Sequence, residues 1–386
     1  MVLTHPFHCP TRVVEGHAYN AAVADLLGNR CWALITSRGW MERDAARDLT
    51  RYAPQPAAIL SDVLPNPKIF TIIEMAQNLP DVDAIVALGG GSVLDAAKGI
   101  IALKALGGDS KAFMAHLSEN IPLPSSMVPV PLIAVPTTSG TGSEVTRWGT
   151  LWGDDEVKHS VNDAKLYPAY AVLDPNLCTS MSLELTLGTA LDSLSHALEA
   201  IWNKRHSAVT DELAGLAISI IRKYLSPTLK NPTNLELRRN MQSAALIAGM
   251  AMGTTQTALA HSISYPFTAK LGLPHGFACA FTLAEVARYN MVTNADRLVP
   301  AASALGCPLE LLPDTLESWM SEFGVGKILD RFISTSFIEG LNSHLITRAR
   351  AANNIRDVDG IAAKQLALNA YRQLSARQNL NSAVSG

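Results

Sequence analysis

Cysteine is scarce in this 386-residue chain and is widely scattered. The five cysteines are an odd number, and no two of them form a CxxC pair. Neither a disulfide framework nor a cysteine-rich zinc site is therefore expected, which fits a reducing compartment. The first thirty residues include His5, His8, Arg12 and Glu15 and do not have the pattern of a signal peptide. We expect a cytoplasmic protein.

Charge is also scarce, because only 17% of the residues are charged and the formal net charge is -3. No basic field is available to attract nucleic acid or an anionic membrane. One uncharged stretch, 241–260, has the length of a membrane span. It contains several threonines and glutamines and two glycines, so we predict a helix buried inside a soluble domain and no membrane partner.

The first half of the chain alternates short apolar runs with helical patterns. Strands are predicted at 31–36, 83–88 and 131–136, and helices at 41–52 and 92–106. This alternation indicates βαβ units and a parallel, Rossmann-like sheet covered on both faces. We expect an α/β nucleotide-binding domain over 1–180.

Beyond residue 180 the pattern becomes helical, and no convincing strand remains. Helices are predicted at 183–203, 210–225, 234–255, 259–270 and 357–374. A chain of this length usually divides into domains. We therefore expect an all-α domain over 181–386.

A glycine-rich turn follows the second predicted strand. Gly89, Gly90, Gly91 and Ser92 lie between this strand and a helix. Glycines let the backbone approach a bound group closely and permit positive φ, and the start of a helix suits a pyrophosphate. Ser92 is expected to cap the helix or to contact a phosphate. The pattern is not GxGxxG, and it could equally be an ordinary strand-to-helix turn.

A second polar loop follows the third predicted strand and strengthens the nucleotide interpretation. The run PTTSGTGSEVT, at 136–146, offers many hydroxyl groups and two glycines. In an open α/β sheet, ligands bind beyond the carboxyl ends of the strands. Together the two loops predict a nucleotide site.

Four residues of the helical half form a candidate metal-binding set. Asp192 and His196 are four residues apart, which places them on one face of a helix, and His261 and His275 follow. Carboxylate and imidazole ligands suit iron, zinc or nickel. An Asp-His pair at this spacing can also be a plain surface contact. We interpret His17, His116, His206 and His344 as ordinary, non-ligating histidines.

These motifs resemble those of the iron-containing, group III alcohol dehydrogenases. The resemblance rests on GGGSxxDxxK at 89–98, PTTSGTGSEVT at 136–146, Asp192-x-x-x-His196 and His261-x13-His275-Gly276, in the order of that family. It implies the dehydroquinate-synthase-like fold of that family and the four ligands Asp192, His196, His261 and His275. It also implies dinucleotide contacts from Gly90, Gly91, Ser92, Thr137, Thr138, Thr141 and Ser143, with Asp95 and Lys158 near the cofactor.

Two positions depart from the family pattern. Tyr265 stands where members commonly have a second histidine, and we expect it to donate a hydrogen bond or relay a proton. The run HSISYP at 261–266 resembles the phosphonoacetaldehyde reductase branch. Ser37 and Arg38 follow the first strand where NAD-preferring members have an aspartate, so NADPH is favoured over NADH.

The resemblance implies a metal-dependent, NAD(P)-linked alcohol dehydrogenase or aldehyde reductase. A divalent ion, Fe²⁺ rather than Zn²⁺ or Ni²⁺, would polarise the oxygen of a small aldehyde or primary alcohol while the nicotinamide carries hydride. For an anionic substrate, Arg147 and Lys158 are candidate cations. A homodimer is expected from the family likeness alone. The alternatives are a polyol-phosphate dehydrogenase, a dehydroquinate-synthase-like lyase or a catalytically silent nucleotide-binding protein.

Overall fold

The computed structural model describes residues 6–341, 346 and 348–384, and of 348 and 378–384 it describes the backbone only. Contacts divide the chain into two compact units. The N-terminal unit is Cys9–Ser180, and the C-terminal unit is Met181–Gly386 with the residues before Cys9.

The N-terminal unit contains a six-stranded parallel sheet in the order β1-β8-β5-β4-β2-β3. Its strands are β1 Arg12–Glu15, β2 Trp32–Ile35, β3 Ala58–Leu60, β4 Ala84–Gly89, β5 Leu132–Pro136 and β8 Tyr170–Leu173. A separate antiparallel hairpin consists of β6 Trp148–Trp152 and β7 Lys158–Asn162. The parallel sheet confirms the α/β prediction for this part of the chain.

The central strands are buried along their whole length, as expected for a parallel sheet covered on both sides. Alternate residues of β4 enter different cores. Ile85 and Ala87 pack in one cluster, whereas Val86 and Leu88 pack in another on the opposite face of the sheet.

Six α-helices and three short 3₁₀ helices accompany this sheet, and the α-helices are numbered here. They are α1 Tyr19–Leu27, α2 Arg38–Met41, α3 Ala45–Leu49, α4 Ile69–Gln77, α5 Gly91–Ala105 and α6 Ser110–Glu119. The single helix predicted over 41–52 is wrong, because α2 ends at Met41 and α3 begins at Ala45. Asp44, between them, has a φ of 58°, a left-handed conformation that interrupts a right-handed helix.

The described part of the C-terminal unit contains α-helices and short 3₁₀ helices and no β-strand. The helices are α7 Leu183–Ile201, α8 Ala208–Lys230, α9 Leu235–Thr255, α10 Leu259–Leu271, α11 His275–Ala280, α12 Leu283–Asn294, α13 Val299–Leu305, α14 Leu312–Glu322, α15 Val325–Leu329, α16 Thr335–Gly340, α17 Arg348–Ala351 and α18 Gly360–Val384. The all-helical prediction is confirmed. The boundaries of α7, α9 and α10 lie within two residues of those predicted, whereas α8 extends five residues beyond its predicted end.

Each of the helices α7, α8 and α9 follows a residue whose side chain accepts a hydrogen bond from a backbone N–H of the first turn. Ser182, Ser207 and Asn234 each cap the helix that follows them. Helix α9 holds most of the uncharged stretch 241–260, and many of its residues are buried in the unit's core. None of the described helices has both the length and the apolar content that a membrane span requires.

Candidate functional site

Helix α7 carries three ionisable side chains on one face. Asp192, His196 and Glu199 follow one another at intervals of four and three residues, which brings them to the same side of a helix. All three are buried, although charged groups at such depth are rare unless they are paired. The burial itself indicates that this face of α7 serves a purpose other than packing.

Three histidine rings surround a single oxygen atom of Asp192. The Nε2 atoms of His196 and His261 each lie 3.6 Å from Asp192 Oδ1, and Nε2 of His275 lies 3.9 Å from it. Donor atoms held about 2.1 Å from one tetrahedral ion lie about 3.4 Å apart. The four residues predicted as metal ligands are therefore brought together by three different helices, with a spacing that suits a shared divalent ion.

The unpaired polar atoms of this cluster fit the same interpretation. Among the described residues, Asp192 Oδ1 and His261 Nε2 are buried atoms without a hydrogen-bond partner. Buried polar atoms are costly when nothing satisfies them. A cation bound between the two atoms would satisfy both, so the donor set fits a metal ion.

The protonation states of Asp192 and His196 on α7 also suit metal binding. Burial by itself would raise the pKa of Asp192, but the imidazole of His196 and the two other rings hold it below its usual value. Burial lowers the pKa of His196 to about 4. At neutral pH the carboxylate is therefore charged and His196 is neutral, which are the forms that bind metals.

Glu199 orients His261, and the sequence analysis did not predict this role. Its Oε2 atom lies 2.6 Å from Nδ1 of His261, and its carboxylate also accepts backbone N–H groups from Ala258, Ala260 and His261. Burial would raise the pKa of Glu199, but His261 and these hydrogen bonds hold it below its usual value. An ionised carboxylate can only accept, so Nδ1 of His261 donates and Nε2 faces the metal cluster. In the sequence, the indication of this role is that Glu199 lies seven residues after Asp192, which places both on one face of the helix.

Helix α11 approaches α7 very closely at Gly276. A Cβ atom at this position would lie 1.8 Å from the carbonyl oxygen of Gly188 and 3.3 Å from Cβ of Asp192. Only glycine fits in that space. The contact explains why His275, the neighbouring residue, reaches Asp192.

A cysteine also belongs to the cluster and was not predicted. Sγ of Cys279 lies 3.6 Å from both ring nitrogens of His275. Donor atoms of Asp192, His261, His275 and Cys279 all lie within 4.8 Å of one another. Burial would raise the pKa of the thiol, but His261 and His275 lower it to about 6. The interval of four residues between His275 and Cys279 was a signal that the sequence offered.

Tyr265 lies on α10, one helical turn beyond His261, and is half-buried. Residues four apart occupy neighbouring positions on a helix surface. The tyrosine therefore shares the face of α10 that carries His261.

The predicted nucleotide loops meet at one edge of the sheet in the N-terminal unit. Strands β2, β4 and β5 are direct neighbours, and their carboxyl ends continue into 36–38, 89–92 and 136–138. The strand order reverses between β2 and β4. From β2 the chain adds β3 on one side, and then adds β4 and β5 on the other side. Such a reversal is where open α/β sheets bind ligands.

The glycine turn is packed against the second loop. A Cβ at Gly91 would lie 2.5 Å from Cγ2 of Thr141, and one at Gly90 would lie 3.3 Å from Cγ2 of Thr138. The glycines at 89–91 do not adopt positive φ, so that part of the expectation is wrong and close packing is the reason for them. Ser92 is not the helix cap either, because Gly90 occupies that position and α5 begins at Gly91.

Asp95, Ser143 and Lys98 join α5 to the second loop. Ser143 Oγ donates to Asp95 Oδ1 over 2.7 Å, and Lys98 Nζ donates to Ser143 Oγ and to the carbonyl of Trp148. Burial lowers the pKa of Lys98 to about 8. Lys98 was not among the predicted site residues, and its place in GGGSxxDxxK was the signal for it. The network fixes the loop that carries Thr137, Thr138 and Thr141.

Ser37 and Arg38 lie at the end of β2, next to an acidic residue. Ser37 pairs with Asp62 in an isolated β-bridge, and Arg38 Nε donates to Asp62 Oδ1 over 2.7 Å. The side chains of Arg38 and Asp62 are 77% and 63% exposed. An exposed ion pair of this kind contributes about 0–1 kcal/mol, so the arginine can exchange partners at little cost.

The two candidate cations for an anionic substrate both lie in the N-terminal unit. Arg147 stacks on the ring of Trp148 at 5.2 Å, and its Nε atom is buried without a hydrogen-bond partner in the described part of the chain. Lys158 is half-buried at the start of β7. Burial raises the pKa of Asp95, and the charges of Lys98 and Lys158 oppose that shift.

Of the four histidines interpreted as ordinary, the structure describes His17, His116 and His206, and none of these three is among the donor groups around Asp192. His116 is buried in the N-terminal unit with Nδ1 2.6 Å from the carbonyl of Ile121, and His17 is exposed. His206 pairs with Asp211 on the C-terminal unit. His344 lies outside the described residues.

Two protein-family models match most of the chain. Residues 10–175 match the model described as iron-containing alcohol dehydrogenase, and residues 186–323 match the C-terminal model of the Fe-containing alcohol dehydrogenase family.

Relatives and solved structures agree with these matches. The chain is 34% identical to a 1,3-propanediol dehydrogenase from Klebsiella pneumoniae over 73% of each chain. It is 32% identical to a phosphonoacetaldehyde reductase from Streptomyces viridochromogenes over 68% of this chain and 66% of the relative. The crystal structure of a sulfoacetaldehyde reductase from Bifidobacterium kashiwanohense with NAD+ aligns with a TM-score of 0.85 and 26% identity, covering 96% of this chain and 98% of the other.

Proposed function

The chain belongs to the iron-containing alcohol dehydrogenase family, and on that basis we propose that it is a metal-dependent, NAD(P)-linked aldehyde reductase acting on a small aldehyde with an anionic group. The observation that carries the metal chemistry is the meeting of three imidazole Nε2 atoms around Asp192 Oδ1. Members of this family are oxidoreductases that act on alcohols. The proposals below concern the metal, the cofactor, the proton donor and the substrate of that reaction.

The proposed metal ligands are Asp192, His196, His261 and His275. A bound divalent ion acts as a Lewis acid on the oxygen of an aldehyde or alcohol, and a nicotinamide supplies or accepts the hydride. Asp192 brings the one formal negative charge, and Glu199 keeps the free nitrogen of His261 directed at the cluster. The mixed oxygen and nitrogen donors suit Fe²⁺, Zn²⁺ or Ni²⁺, with Fe²⁺ favoured by the family.

The proposed dinucleotide site is the edge where β2, β4 and β5 end. The turn at 89–92 and the start of α5 would hold the pyrophosphate, because backbone N–H groups and the helix dipole favour negative charge there. Thr137, Thr138 and Thr141 offer hydroxyl groups beside the turn. Asp95 and Ser143 bind each other, and with Lys98 they keep this loop in place.

Tyr265 is the proposed proton donor or relay. A proton must reach the oxygen of the aldehyde when hydride reduces its carbon atom. A tyrosine hydroxyl can donate and accept, and this one lies on α10 one turn beyond His261. Family members commonly carry a histidine at this position, and the role of that histidine is not transferred to Tyr265.

We propose an anionic aldehyde because two independent observations favour one. The relatives include a phosphonoacetaldehyde reductase and a sulfoacetaldehyde reductase, whose named substrates are both short aldehydes with an acidic group. Arg147 keeps a buried, unpartnered Nε atom within the described chain, and a guanidinium group binds such anions through paired hydrogen bonds. Phosphonoacetaldehyde is the substrate we would test first.

Three further proposals complete the assignment. NADPH is preferred to NADH, because Ser37 and Arg38 can accept a 2′-phosphate at little cost in ion pairing. The protein forms a homodimer and works in the cytoplasm.

The test is oxidation of NADPH, and in parallel of NADH, by metal-stripped protein that has been reloaded anaerobically with Fe²⁺. The aldehyde panel contains phosphonoacetaldehyde, sulfoacetaldehyde and propanal, and each is measured with and without metal. Metal-dependent turnover with a preference for the two anionic aldehydes is the expected result. Turnover of propanal alone would contradict the anionic substrate, and no turnover with either cofactor would contradict the reductase assignment altogether.

The role of Arg147 is tested with the same panel. Arg147→Lys and Arg147→Ala should raise KM for the anionic aldehydes and leave KM for propanal nearly unchanged. An equal change for charged and neutral aldehydes would mean that Arg147 serves the fold and does not contact the substrate.

A further inference from the structure

Cys279 places a sulfur atom among the candidate metal-binding side chains of the C-terminal unit. Helix α11 begins at His275 and carries Cys279 one turn later, so both side chains project from the same face. The thiol is buried, and its Sγ belongs to the set of four donor atoms that lie within 4.8 Å of one another. The other three atoms of that set come from Asp192, His261 and His275.

The position of the sulfur agrees with coordination. A sulfur about 2.3 Å and a nitrogen about 2.1 Å from one tetrahedral ion lie about 3.6 Å apart. The distance between Cys279 Sγ and His275 Nε2 is 3.6 Å. The same sulfur is also 3.6 Å from Nδ1 of the ring. The sulfur is therefore within hydrogen-bond distance of both ring nitrogens and is not directed at one of them alone.

Two neighbouring polar atoms of the site have no hydrogen-bond partner in the described chain that would satisfy them. Among described residues, Asp192 Oδ1 and His261 Nε2 are buried and unpartnered. Both belong to the group that includes Cys279 Sγ. An ion that satisfies these two atoms would therefore lie within reach of the sulfur.

We propose that Cys279 is a direct thiolate ligand of the metal ion, a fifth donor beside Asp192, His196, His261 and His275. The proposal rests on the proposed function, because it needs the same ion. Its consequence is metal preference: a thiolate is a soft donor, and it moves a site of nitrogen and oxygen ligands away from Fe²⁺ and towards Zn²⁺ or Co²⁺. The chain would then keep the chemistry of its family with a different balance of metals.

The first test uses Co²⁺ as a spectroscopic probe in the full-length, metal-stripped protein under anaerobic conditions. The wild type should show the visible bands of bound Co²⁺ and, in the near ultraviolet, a sulfur-to-cobalt charge-transfer band. Cys279→Ser and Cys279→Ala should lose the charge-transfer band and keep the visible bands. Cys307→Ser removes another cysteine of the same unit, one outside the cluster, and should keep both.

Each other result overturns the proposal in a distinguishable way. Visible bands without a charge-transfer band in the wild type would leave the metal site standing and remove Cys279 from it. A charge-transfer band that survives in both Cys279 variants would assign the sulfur elsewhere. No cobalt binding in any protein would overturn this proposal and the metal chemistry of the proposed function together.

A second measurement separates coordination from packing. Chelator competition gives the dissociation constants of Zn²⁺ and Fe²⁺ for the wild type and for Cys279→Ser. Loss of an outer-shell partner typically weakens metal binding about 10–100-fold, and loss of a ligand should weaken Zn²⁺ binding by at least about tenfold. Fe²⁺ binding should weaken less. Equal losses for both metals would show that the sulfur acts only by filling space.

Discussion

Glu199 Oε2 accepts a hydrogen bond from Nδ1 of His261 over 2.6 Å, and both side chains are buried. The same carboxylate also binds three backbone N–H groups at 258–261, so it holds both the ring and the chain that carries the ring. A carboxylate behind a ligating histidine fixes which nitrogen faces the metal and raises its basicity.

Glu199→Gln should therefore weaken metal binding. The amide replaces one acceptor oxygen with an N–H₂ group that faces donors, so the orientation of His261 is lost. We expect the dissociation constant for Zn²⁺ or Fe²⁺ to rise about 10–100-fold, measured by chelator competition. Glu317→Gln is the matched control, because it removes another buried carboxylate of the same unit that binds Arg288 and Arg377 instead. The same loss of metal affinity in both variants would contradict a specific role for Glu199.

Gly276→Ala should separate α11 from α7. The new Cβ would meet the carbonyl oxygen of Gly188 at 1.8 Å, so the helix must move and His275 must move with it. Overpacking of a close contact costs about 1–3 kcal/mol. We expect a lower Tm and less than one metal ion per chain after reloading, measured by thermal unfolding and elemental analysis.

Gly215→Ala is the control for this prediction. Gly215 lies within α8, where a Cβ would meet nothing within 4 Å, and alanine is a better helix former than glycine. That variant should be as stable as the wild type or more so. A Gly276→Ala protein with unchanged Tm and full metal content would show that α11 adjusts without cost.

Gly91→Ala should impair dinucleotide binding and spare the metal. Its Cβ would lie 2.5 Å from Cγ2 of Thr141, which forces the glycine turn and the second loop apart. The Kd for NAD(P)H, measured by fluorescence titration, should rise at least about tenfold, which corresponds to about 1.4 kcal/mol. Metal content should not change.

A second substitution can test the cause of that defect. Thr141→Ala in the Gly91→Ala background removes the methyl group that the new Cβ would strike. Affinity for the dinucleotide should then recover in part, beyond what the sum of the two single changes predicts. Purely additive effects would mean that the two loops do not interact through this contact.

The residues that the sequence predicts best are those whose geometry is local. Asp192 and His196 share a helix, so their spacing alone puts them on one face. The parallel sheet follows in the same way from apolar runs that alternate with helical patterns. His261 and His275 could be joined to them only through the resemblance to a family, because their approach depends on how three helices pack.

The residues that sequence analysis missed depend on contacts between distant segments. In the sequence Glu199 looks like any other residue of a helix. Its role depends on the backbone at 258–261, whose N–H groups donate hydrogen bonds to its carboxylate. Cys279 joins the cluster because α11 packs tightly at Gly276. The close packing of the glycines at 89–91 also depends on a distant segment, because Thr141 lies fifty residues from Gly91 in the sequence but next to it in space.

Glu144 gives a prediction for the pH dependence of stability. It is buried beside Lys98, and burial raises its pKa from 4.5 to about 7. Between these two values the folded state binds a proton that the unfolded state has released, so the stability of the wild type falls as pH rises through this window. Glu144→Gln removes the titration. Its free energy of unfolding minus that of the wild type should rise between about pH 4.5 and 7 and level off above.

Urea unfolding at a series of pH values measures this difference. Glu119→Gln is the control, because Glu119 is exposed at the end of α6 and its replacement removes a carboxylate from the surface instead of the interior. A flat profile for Glu144→Gln would show that the carboxyl group keeps an ordinary pKa in the folded protein.

Cofactor preference is predicted to depend on the charge at the end of β2. Asp62 pairs with Arg38 and forms a bridge with Ser37, so its carboxylate lies beside the proposed position of the 2′-phosphate. Ser37→Asp adds a second negative charge, and we expect kcat/KM for NADPH to fall at least about tenfold relative to NADH, since like charges at close range cost several kcal/mol. Asp62→Asn releases Arg38 and should move the ratio the other way. Ser37→Asn keeps the size of the aspartate without its charge and should leave the ratio near that of the wild type. If Ser37→Asp and Ser37→Asn gave the same ratio, the charge at this position would not select the cofactor, and the basis for NADPH preference would be lost.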